Sequence, residues 1–541
     1  MYVFSFKANA DKIARKSMKI FSLAFLITTC AVIKSNEASN ILFLSGIPCP
    51  SHYIFNKAIA EGLAARGHNL TFLSPDIEKN STENFHYVHL EEMYAHYYNG
   101  SEHIDLLEMS KESTLKSVFS FYDFDTFMCE GIALSKGIEV MKNYPDDFKF
   151  DLVLHDYTCG PCLLGLMPKF KYPPIIGVSA FNNPPYTVDI VGGDKLGLTV
   201  KPFYLLHYDI NMNFIQRLHN GLINFLDSFY RKYFATPSID KQMRKVFGDS
   251  IPYADDLDKM TALMLVNSNP AVDYPESLPP NIIQVGGLQI KEPKTVPSDI
   301  NQFIVKGKKG AILMTLGTNM RSDEIGKDAI NAVLEAFRSI PDYNFLWKFE
   351  TSEMLQDLPK NVMIKDWLPQ NDILAHPHVK AFITHGGLLS THEAIWYGVP
   401  MIAIPFIADQ HRNVFKSVSA GIAVKVDYHT ITMEKLKKAI VEVLHNPKIR
   451  KNIQKKSKLF RDQPEKPLDR ALWWCEYVIR NPKPTHLKQA ELSLGLLGSH
   501  FWDIQILIIL IFIIVYRIIK SFHRKIRNSK IDTEIQQKKN K

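Results

Sequence analysis

Between Phe382 and Gln410 the chain reads FITHGGLLSTHEAIWYGVPMIAIPFIADQ, with its small and polar residues at the joints between apolar runs. Residues 381–384 predict a short buried strand, His385-Gly386-Gly387 a break, the stretch to Tyr397 a helix, and Gly398-Val399-Pro400 its end. Residues 401–405 predict a second buried strand, with Asp409 and Gln410 in the loop beyond it. Strand, turn, helix, strand is a right-handed parallel unit, and ligands of such sheets sit outside the C-terminal strand ends. His385, the glycines, Asp409 and Gln410 all fall there. The chemistry on offer suits a nucleotide diphosphate. Glycines admit a close backbone approach, and a helix N-terminus turns free N–H groups toward an anion. Ser390 and His385 add donors, and Glu393, further into the helix, can accept from ribose hydroxyls. Alone, an HGG turn fits a tight connection with nothing bound equally well.

Just upstream stand Trp367-Leu368-Pro369-Gln370-Asn371 and Ile373-Leu374-Ala375-His376-Pro377. WLPQ, HGG, a helix glutamate, GVP and DQ, in this order and spacing, resemble the signature of the UDP-glycosyltransferases, closest to the membrane-bound invertebrate type. The wider chain, from around Ile41 to Tyr477, follows the family order. The resemblance implies a set of donor contacts. Trp367 would stack on the uracil and Gln370 would contact the nucleoside. Thr318, His385, Gly387 and Ser390 would hold the diphosphate, and Glu393 the ribose. Asp409 and Gln410 would hold sugar hydroxyls, with Asn413 close by. The family's Ser-Leu-Gly-Ser stands here as Thr315-Leu316-Gly317-Thr318, which keeps the hydroxyl, and Leu389 replaces a residue that is polar in some relatives. The sequence shows no metal-ligand cluster. Neutralisation of the leaving UDP would fall to helix N-termini and His385, with no metal and no cofactor beyond the UDP-sugar co-substrate.

Family members take a base from a histidine after the first strand and orient it with an aspartate after a later one. His52 and Asp156 match those places. His52 Nε2 would remove the proton of an acceptor hydroxyl as it attacks the anomeric carbon, and Asp156 would fix the tautomer and stabilise the imidazolium. One displacement inverts an α-linked donor into a β-glycoside. The expected donor is UDP-glucose, with UDP-glucuronic acid as the alternative, and the expected acceptor is a small lipophilic molecule bearing a hydroxyl. Phe121, Phe124, Phe181 and Tyr186 are candidate walls of its pocket. A nucleotide-sugar-binding protein without catalysis is disfavoured by the presence of His52, Asp156, Asp409 and Gln410 together. Cys159-Gly160-Pro161-Cys162 invites a thiol oxidoreductase reading, but Thr158 stands where the usual tryptophan would precede it. A structural thiol pair, Cys159 with Cys162, is expected instead.

These residues need elements to hold them. Apolar runs at 40–45, 68–73, 151–155, 175–179, 264–267 and 282–285 predict one series of strands, and runs at 310–316, 344–349, 362–365, 381–384 and 401–405 a second. Helices are expected at 52–66 and 466–479, and an aromatic amphipathic helix at 212–233 is expected to pack against its domain, with the bilayer surface or the lining of an apolar acceptor site as alternatives. The fold class is α/β: two Rossmann-like domains facing a cleft, the arrangement called GT-B, plus one C-terminal transmembrane helix. The expected organisation is a signal peptide and leader (1–39), an acceptor-binding domain (40–285), and a UDP-sugar-binding domain closing with a return helix (286–480). A juxtamembrane stretch (481–500), a membrane span (501–519) and a basic cytosolic tail (520–541) complete it.

The 541 residues carry a net charge of +8, which invites a nucleic-acid partner. The distribution excludes that reading. Residues 1–34 hold +5 and residues 520–541 hold +6, leaving −3 for everything between. The basic charge flanks hydrophobic segments, as targeting requires. Residues 20–33 read as a signal peptide and residues 504–519 as a span, which places both domains in the lumen of the endoplasmic reticulum as a type I protein. Lys538 and Lys539 near the end resemble a dilysine retrieval signal. Asn69, Asn80 and Asn99 head glycosylation sequons. Monomer and homo-oligomer both remain open.

Overall fold

The computed structural model describes residues 38–540 except 80–81, 100–105, 194, 196, 198–199, 352–354, 356, 495–497 and 499–500. The expected signal peptide and the Asn80 sequon lie outside the described residues, as do the Asn99 side chain and the rest of its sequon. Residues from Asn40 onward form one compact unit.

Two all-parallel sheets carry the structure. The first begins with β1 (Asn40–Leu44), α1 (Pro50–Ala65), β2 (Asn69–Ser74) and β3 (Phe85–His89). It continues through α2 (Thr114–Leu134), β4 (Leu152–Asp156), β5 (Ile175–Ser179), α3 (Phe214–Tyr230), α4 (Thr236–Phe247), β6 (Thr261–Val266) and β7 (Ile282–Gln284). The second contains β8 (Ala311–Thr315), β9 (Asn344–Lys348), β10 (Val362–Lys365), α5 (Gln370–Leu374), β11 (Val379–Thr384) and α6 (Leu388–Tyr397). It ends with β12 (Met401–Ala403), α7 (Gln410–Ser419) and β13 (Ala423–Lys425). Beyond the sheets lie α8 (Pro467–Arg480) and α9 (Trp502–Lys539).

The strands are short apolar runs because both faces are covered. In β1, Ile41 and Phe43 enter one core layer while Leu42 and Leu44 enter the other. In β8, Ile312 and Met314 part in the same way from Ala311 and Leu313. Strand order is 3-2-1-4-5-6-7 in the first sheet and 10-9-8-11-12-13 in the second. Each sheet therefore has one place where the order reverses, β1/β4 and β8/β11. At such a point the connections leave on opposite sides and open a crevice at the strand ends.

Helix α8 packs back onto the first sheet's layer, where Ala471, Leu472, Cys475 and Val478 join Ala58, Ile59 and Leu63. A Cβ on Gly62 would stand 2.8 Å from Leu472, so the glycine admits the close approach. Arg66 on α1 adds contacts to Glu476 (3.1 Å) and Asp469 (3.3 Å).

Two expectations need correction. The disulfide joins Cys162 to Cys129 on α2, and Cys159 is free and buried. Two 3₁₀ turns with Gly160 between them at φ +61° replace the helix that would have set Cys159 beside Cys162. Helix α3 does not turn its apolar stripe into the domain. Phe214, Ile215, Leu218 and Leu222 are each more than half exposed, while its buried positions include Asn220, Asn224 and Asp227. The last helix, α9, is fully exposed, with an apolar window of mean hydropathy 2.3.

Candidate active site

His52 opens α1 just past the C-terminal end of β1, and Asp156 closes β4, so the first sheet's reversal point brings them together. They do not bond directly. His52 Nδ1 and Asp156 Oδ2 are 3.9 Å apart. The Thr158 hydroxyl stands between, 2.9 Å from His52 Nδ1 and 2.6 Å from Asp156 Oδ1. A hydroxyl carries one proton. The shorter contact is to the carboxylate, so Thr158 donates to Asp156 and accepts from Nδ1–H. That sets the tautomer and leaves Nε2 unprotonated on the cleft side. Asp156 is itself held by Asn56 Nδ2 at 2.7 Å and by the Thr158 backbone N–H at 3.0 Å. Burial lowers the His52 pKa, and the Asp156 charge opposes this without reversing it. The imidazole is thus neutral and basic-ready at neutral pH, with the edge of Phe181 against it at 5.0 Å.

The second sheet's reversal point faces this pair across a cleft of about 470 Å³. Thr318, Trp367, Gln370, His385, Gly387, Ser390, Glu393, Asp409 and Gln410 all line that cleft, together with His52. Gln370, at the start of α5, accepts from Thr315 Oγ1 (2.8 Å) and donates to Ser390 (3.1 Å) and Glu393 (2.7 Å). Three of the expected donor contacts are therefore one preset network. Burial pushes the Glu393 carboxyl up to about 7. Trp367 keeps its ring 57% exposed, as a stacking platform requires.

The His385 ring is wedged between two glycines. A Cβ on Gly317 would stand 2.6 Å from the ring, and one on Gly387 2.4 Å from Nε2. Burial, with the Lys348 charge adding to it, brings His385 down to about 4. It is therefore neutral and offers a hydrogen bond rather than a charge. Positive groups in the cleft lining include Lys348, at the end of β9 and ion-paired with Glu350, and Lys291 and Lys294; the N-terminus of α6, which begins at Leu388, adds its partial charge.

At the far end, Ala408 adopts φ +53° and turns the chain into Asp409, where α7 starts. Gln410 Oε1 accepts from the N–H groups of Phe406 (2.9 Å) and Ile407 (3.1 Å), so its amide nitrogen is left for a ligand. Asn413 is not in the cleft lining. It is buried beneath, donating to Asp409 Oδ2 at 2.7 Å, and so positions Asp409.

Beyond Phe121, Thr158, Phe181 and Asp409 the cleft continues into a second chamber, walled by Tyr186, Tyr204 and Ile239. Of the aromatic candidates, Phe121, Phe181 and Tyr186 line this chamber and Phe124 lines the cleft. Sequence reasoning missed Thr158 and Lys348. Lys348 carried a signal: it closes an apolar strand, NFLWK, at the C-terminal end where ligands gather. Asn69 is exposed at the start of β2 and donates to Asn40 at 3.0 Å.

A family profile described as UDP-glucoronosyl and UDP-glucosyl transferase matches residues 46–535. The chain belongs to this family. UDP-glucosyltransferase 2 of Dactylopius coccus is 31% identical over 500 residues, covering 92% of this chain and 93% of that one. UDP-glucuronosyltransferase 2B15 of Rattus norvegicus is 29% identical over 511 residues, covering 88% and 94%. Among solved structures, the calicheamicin glycosyltransferase CalG4 superposes with a TM-score of 0.55 at 14% identity, covering 83% of this chain and all of that one. The glycosyltransferase VinC gives 0.54 at 15% identity, covering 82% of this chain. At that identity the likeness shows the GT-B fold alone. Membership in the family makes this UDP-glycosyltransferase an enzyme with a UDP-sugar donor.

Proposed function

We propose that the enzyme transfers glucose from UDP-glucose to a hydroxyl of a small lipophilic acceptor, inverting the anomeric centre, at the luminal face of the endoplasmic reticulum membrane. The observation that carries the mechanism is the Thr158 hydroxyl 2.9 Å from His52 Nδ1, an arrangement that leaves Nε2 to act as base where the donor cleft meets the aromatic chamber. The acceptor hydroxyl gives its proton to Nε2 as its oxygen attacks the anomeric carbon, and the C–O bond to UDP breaks. Positive charge arising on the imidazole is shared through Thr158 with Asp156. Negative charge arising on the β-phosphate falls beside Lys348, the His385 N–H and the α6 N-terminus. No further cofactor enters this scheme.

A neutral hexose is supported by the acidic sugar end, where Asp409 and Gln410 line the cleft and a C6 carboxylate would meet Asp409. The name of the Dactylopius relative points the same way. That of the Rattus relative favours UDP-glucuronic acid instead. The membrane setting rests on the exposed apolar start of α9, whose 18-residue window spans about 27 Å as a helix. The Phe225 ring of α3 sits 4.3 Å from Trp502, where α9 begins, so the exposed stripe of α3 lies at the same bilayer surface.

Microsomes holding the enzyme, given 2-naphthol with radiolabelled UDP-glucose or UDP-glucuronic acid, test the reading. Labelled glycoside from UDP-glucose is expected, lost in His52→Ala. Product from UDP-glucuronic acid alone overturns the sugar, and activity surviving in His52→Ala overturns the base.

A further inference from the structure

Among the described residues, the polar side chains of the aromatic chamber that make no hydrogen bond include the Tyr186 hydroxyl and an acidic group. The acid is Asp125, on α2, which lines the chamber, and among the described residues its carboxyl has no hydrogen bond or ion pair. The cation whose charge reaches it is committed elsewhere: Arg231 donates to Asp258 at 2.6 Å and stands 3.8 Å from Asp189. Tyr122, one turn from Asp125 around the same wall, gives its hydroxyl to Asp227 at 3.1 Å. The chamber has also been shaped to keep the carboxyl there. A Cβ on Gly160 would stand 3.1 Å from Asp125 Oδ2, so the glycine leaves that oxygen its space. Around it the lining is Phe121, Phe181, Tyr186, Tyr204 and Ile239.

We propose that Asp125 is the polar anchor of the acceptor chamber, and that the enzyme favours acceptors carrying a second, neutral hydroxyl across an aromatic body from the one it glycosylates. The inference rests on the acceptor side of the reading above.

A carboxyl set in an aromatic wall without a protein partner is costly to desolvate unless the ligand supplies the partner. Burial raises its pKa above the usual carboxylate range, with the Arg231 charge opposing and Asp258 adding, which favours the neutral acid. A protonated carboxyl has one donor and free acceptor capacity, as a hydroxyl does, and the two can pair reciprocally. The spacing follows from the chain. Thr158 touches His52, Gly160 lies two residues on and against Asp125, and two residues span at most about 7 Å. The anchor is thus only a short stretch of chain from the base and faces the chamber beside it, within reach of a fused-ring acceptor. Pockets that orient ligands do so with few polar groups in an apolar wall, and a site built to bond a hydroxyl discriminates against its absence.

The test is binding of three fluorescent acceptors to the full-length enzyme in lipid nanodiscs saturated with UDP, read by fluorescence anisotropy. They are 6-(hydroxymethyl)-2-naphthol, 6-methyl-2-naphthol and 6-(aminomethyl)-2-naphthol. The hydroxymethyl compound is expected to bind about fivefold or more tightly than the methyl compound in the wild type. In Asp125→Leu that ratio falls to about one or inverts, and Asp125→Asn, which keeps a donor and an acceptor, retains a preference. UDP titration reports whether each variant is folded, and Asp125→Ala carries the comparison if the leucine variant fails to bind UDP. Equal binding of the first two compounds in the wild type overturns the proposal, as does a ratio unchanged in the leucine or alanine variant. Tightest binding of the charged amine overturns the neutral-hydroxyl class. Transfer is read separately: compounds that bind with the expected order but receive no sugar would count against the glycosyltransfer reading and leave the anchor standing.

Discussion

Replacing Thr158 with valine tests whether the hydroxyl relay does what the geometry says. The change swaps Oγ1 for a methyl of nearly the same size, and Asp156 keeps its bonds from Asn56 at 2.7 Å and from the Thr158 backbone at 3.0 Å. The carboxylate should therefore stay in place. What disappears is the acceptor 2.9 Å from His52 Nδ1, together with the 2.6 Å link that passes the carboxylate's charge to it. The direct attraction across 3.9 Å remains. The loss is one hydrogen bond to a group that becomes charged in the transition state, about 1.5–3 kcal/mol, or roughly 10- to 150-fold in kcat. The KM for the UDP-sugar should not move, because Thr158 is on the acceptor side. The acid limb of the pH–rate profile should move too. Activity needs neutral His52, whose pKa already lies below the ordinary value, so the rate rises with pH through that pKa and is flat at neutral pH. Removing a stabiliser of the imidazolium lowers the pKa further, so the limb shifts to lower pH. Thr158→Ser should restore both quantities to within a few-fold. Steady-state kinetics from pH 4.5 to 8 on microsomal enzyme decide it. A valine variant with wild-type kcat and an unmoved acid limb would refute the relay and return the orienting role to Asp156 alone.

Three further outcomes follow from particular contacts. Gly387→Ala places a Cβ 2.4 Å from His385 Nε2 at an ordinary backbone angle, so it displaces the ring without straining the chain; UDP affinity by calorimetry should fall about tenfold or more. Cys162→Ser removes the bridge to Cys129, which closes a separation of 33 residues, and should lower stability to urea by about 2–4 kcal/mol. Cys159→Ser touches no bridge and should lose much less. A nitroxide on Ile215→Cys of membrane-bound enzyme should be reached by oxygen and shielded from a nickel chelate, whereas one on the exposed polar position Lys241→Cys should show the reverse. Equal chelate access at both sites would place α3 in water.

Most of the fold was legible because parallel strands covered on both faces are continuous apolar runs, and such runs stand out against polar connections. The elements that escaped lack this mark. β3, FHYVH, has only its first residue buried, and β13 is three residues long. The exposed face of α3 illustrates a different limit. Helical spacing groups Phe214, Leu218, Leu222 and Phe225 on one side but says nothing of what that side meets. The cysteine pairing failed for a related reason: proximity along the chain suggested Cys159 and Cys162, while the partner came from α2 through tertiary packing. The residues that line the cleft from the second sheet were readable from a long ordered motif. Thr158 was not, because a hydroxyl two residues past an aspartate reaches back only when the chain turns at once, as the 3₁₀ turn after β4 does. Asn413 was placed near the sugar by its motif, but one further turn of α7 carries it under Asp409.

The two halves of the site depend on how the two sheets are joined. His52, Thr158 and Asp156 belong to the first reversal point, and the residues expected to contact the UDP-sugar to the second, so neither sheet holds all of the candidate site. The chain crosses between them after β7 and again before α8, and the crossings are neighbours. Arg470 donates to the Gln284 carbonyl at 3.1 Å, and Phe460 packs where a Cβ on Gly287 would stand 2.8 Å from it. Two adjacent strands of chain make one hinge line, away from the cleft mouth. The halves also meet elsewhere: Lys416 of α7 forms a buried ion pair with Asp273, Arg412 lies over the Tyr274 ring at 5.7 Å, His207 stacks on His411 at 5.0 Å, and Cys49 Sγ meets Asn319 at 3.1 Å. A buried ion pair and ring contacts therefore join the halves in addition to the buried face of α8 and its Arg66 contacts. Opening for UDP release by rotation about the hinge line would break these cross-contacts and leave the internal bonds of each half intact. His52 then returns to the same position at every closure, because the relay that aims it lies wholly within the first domain.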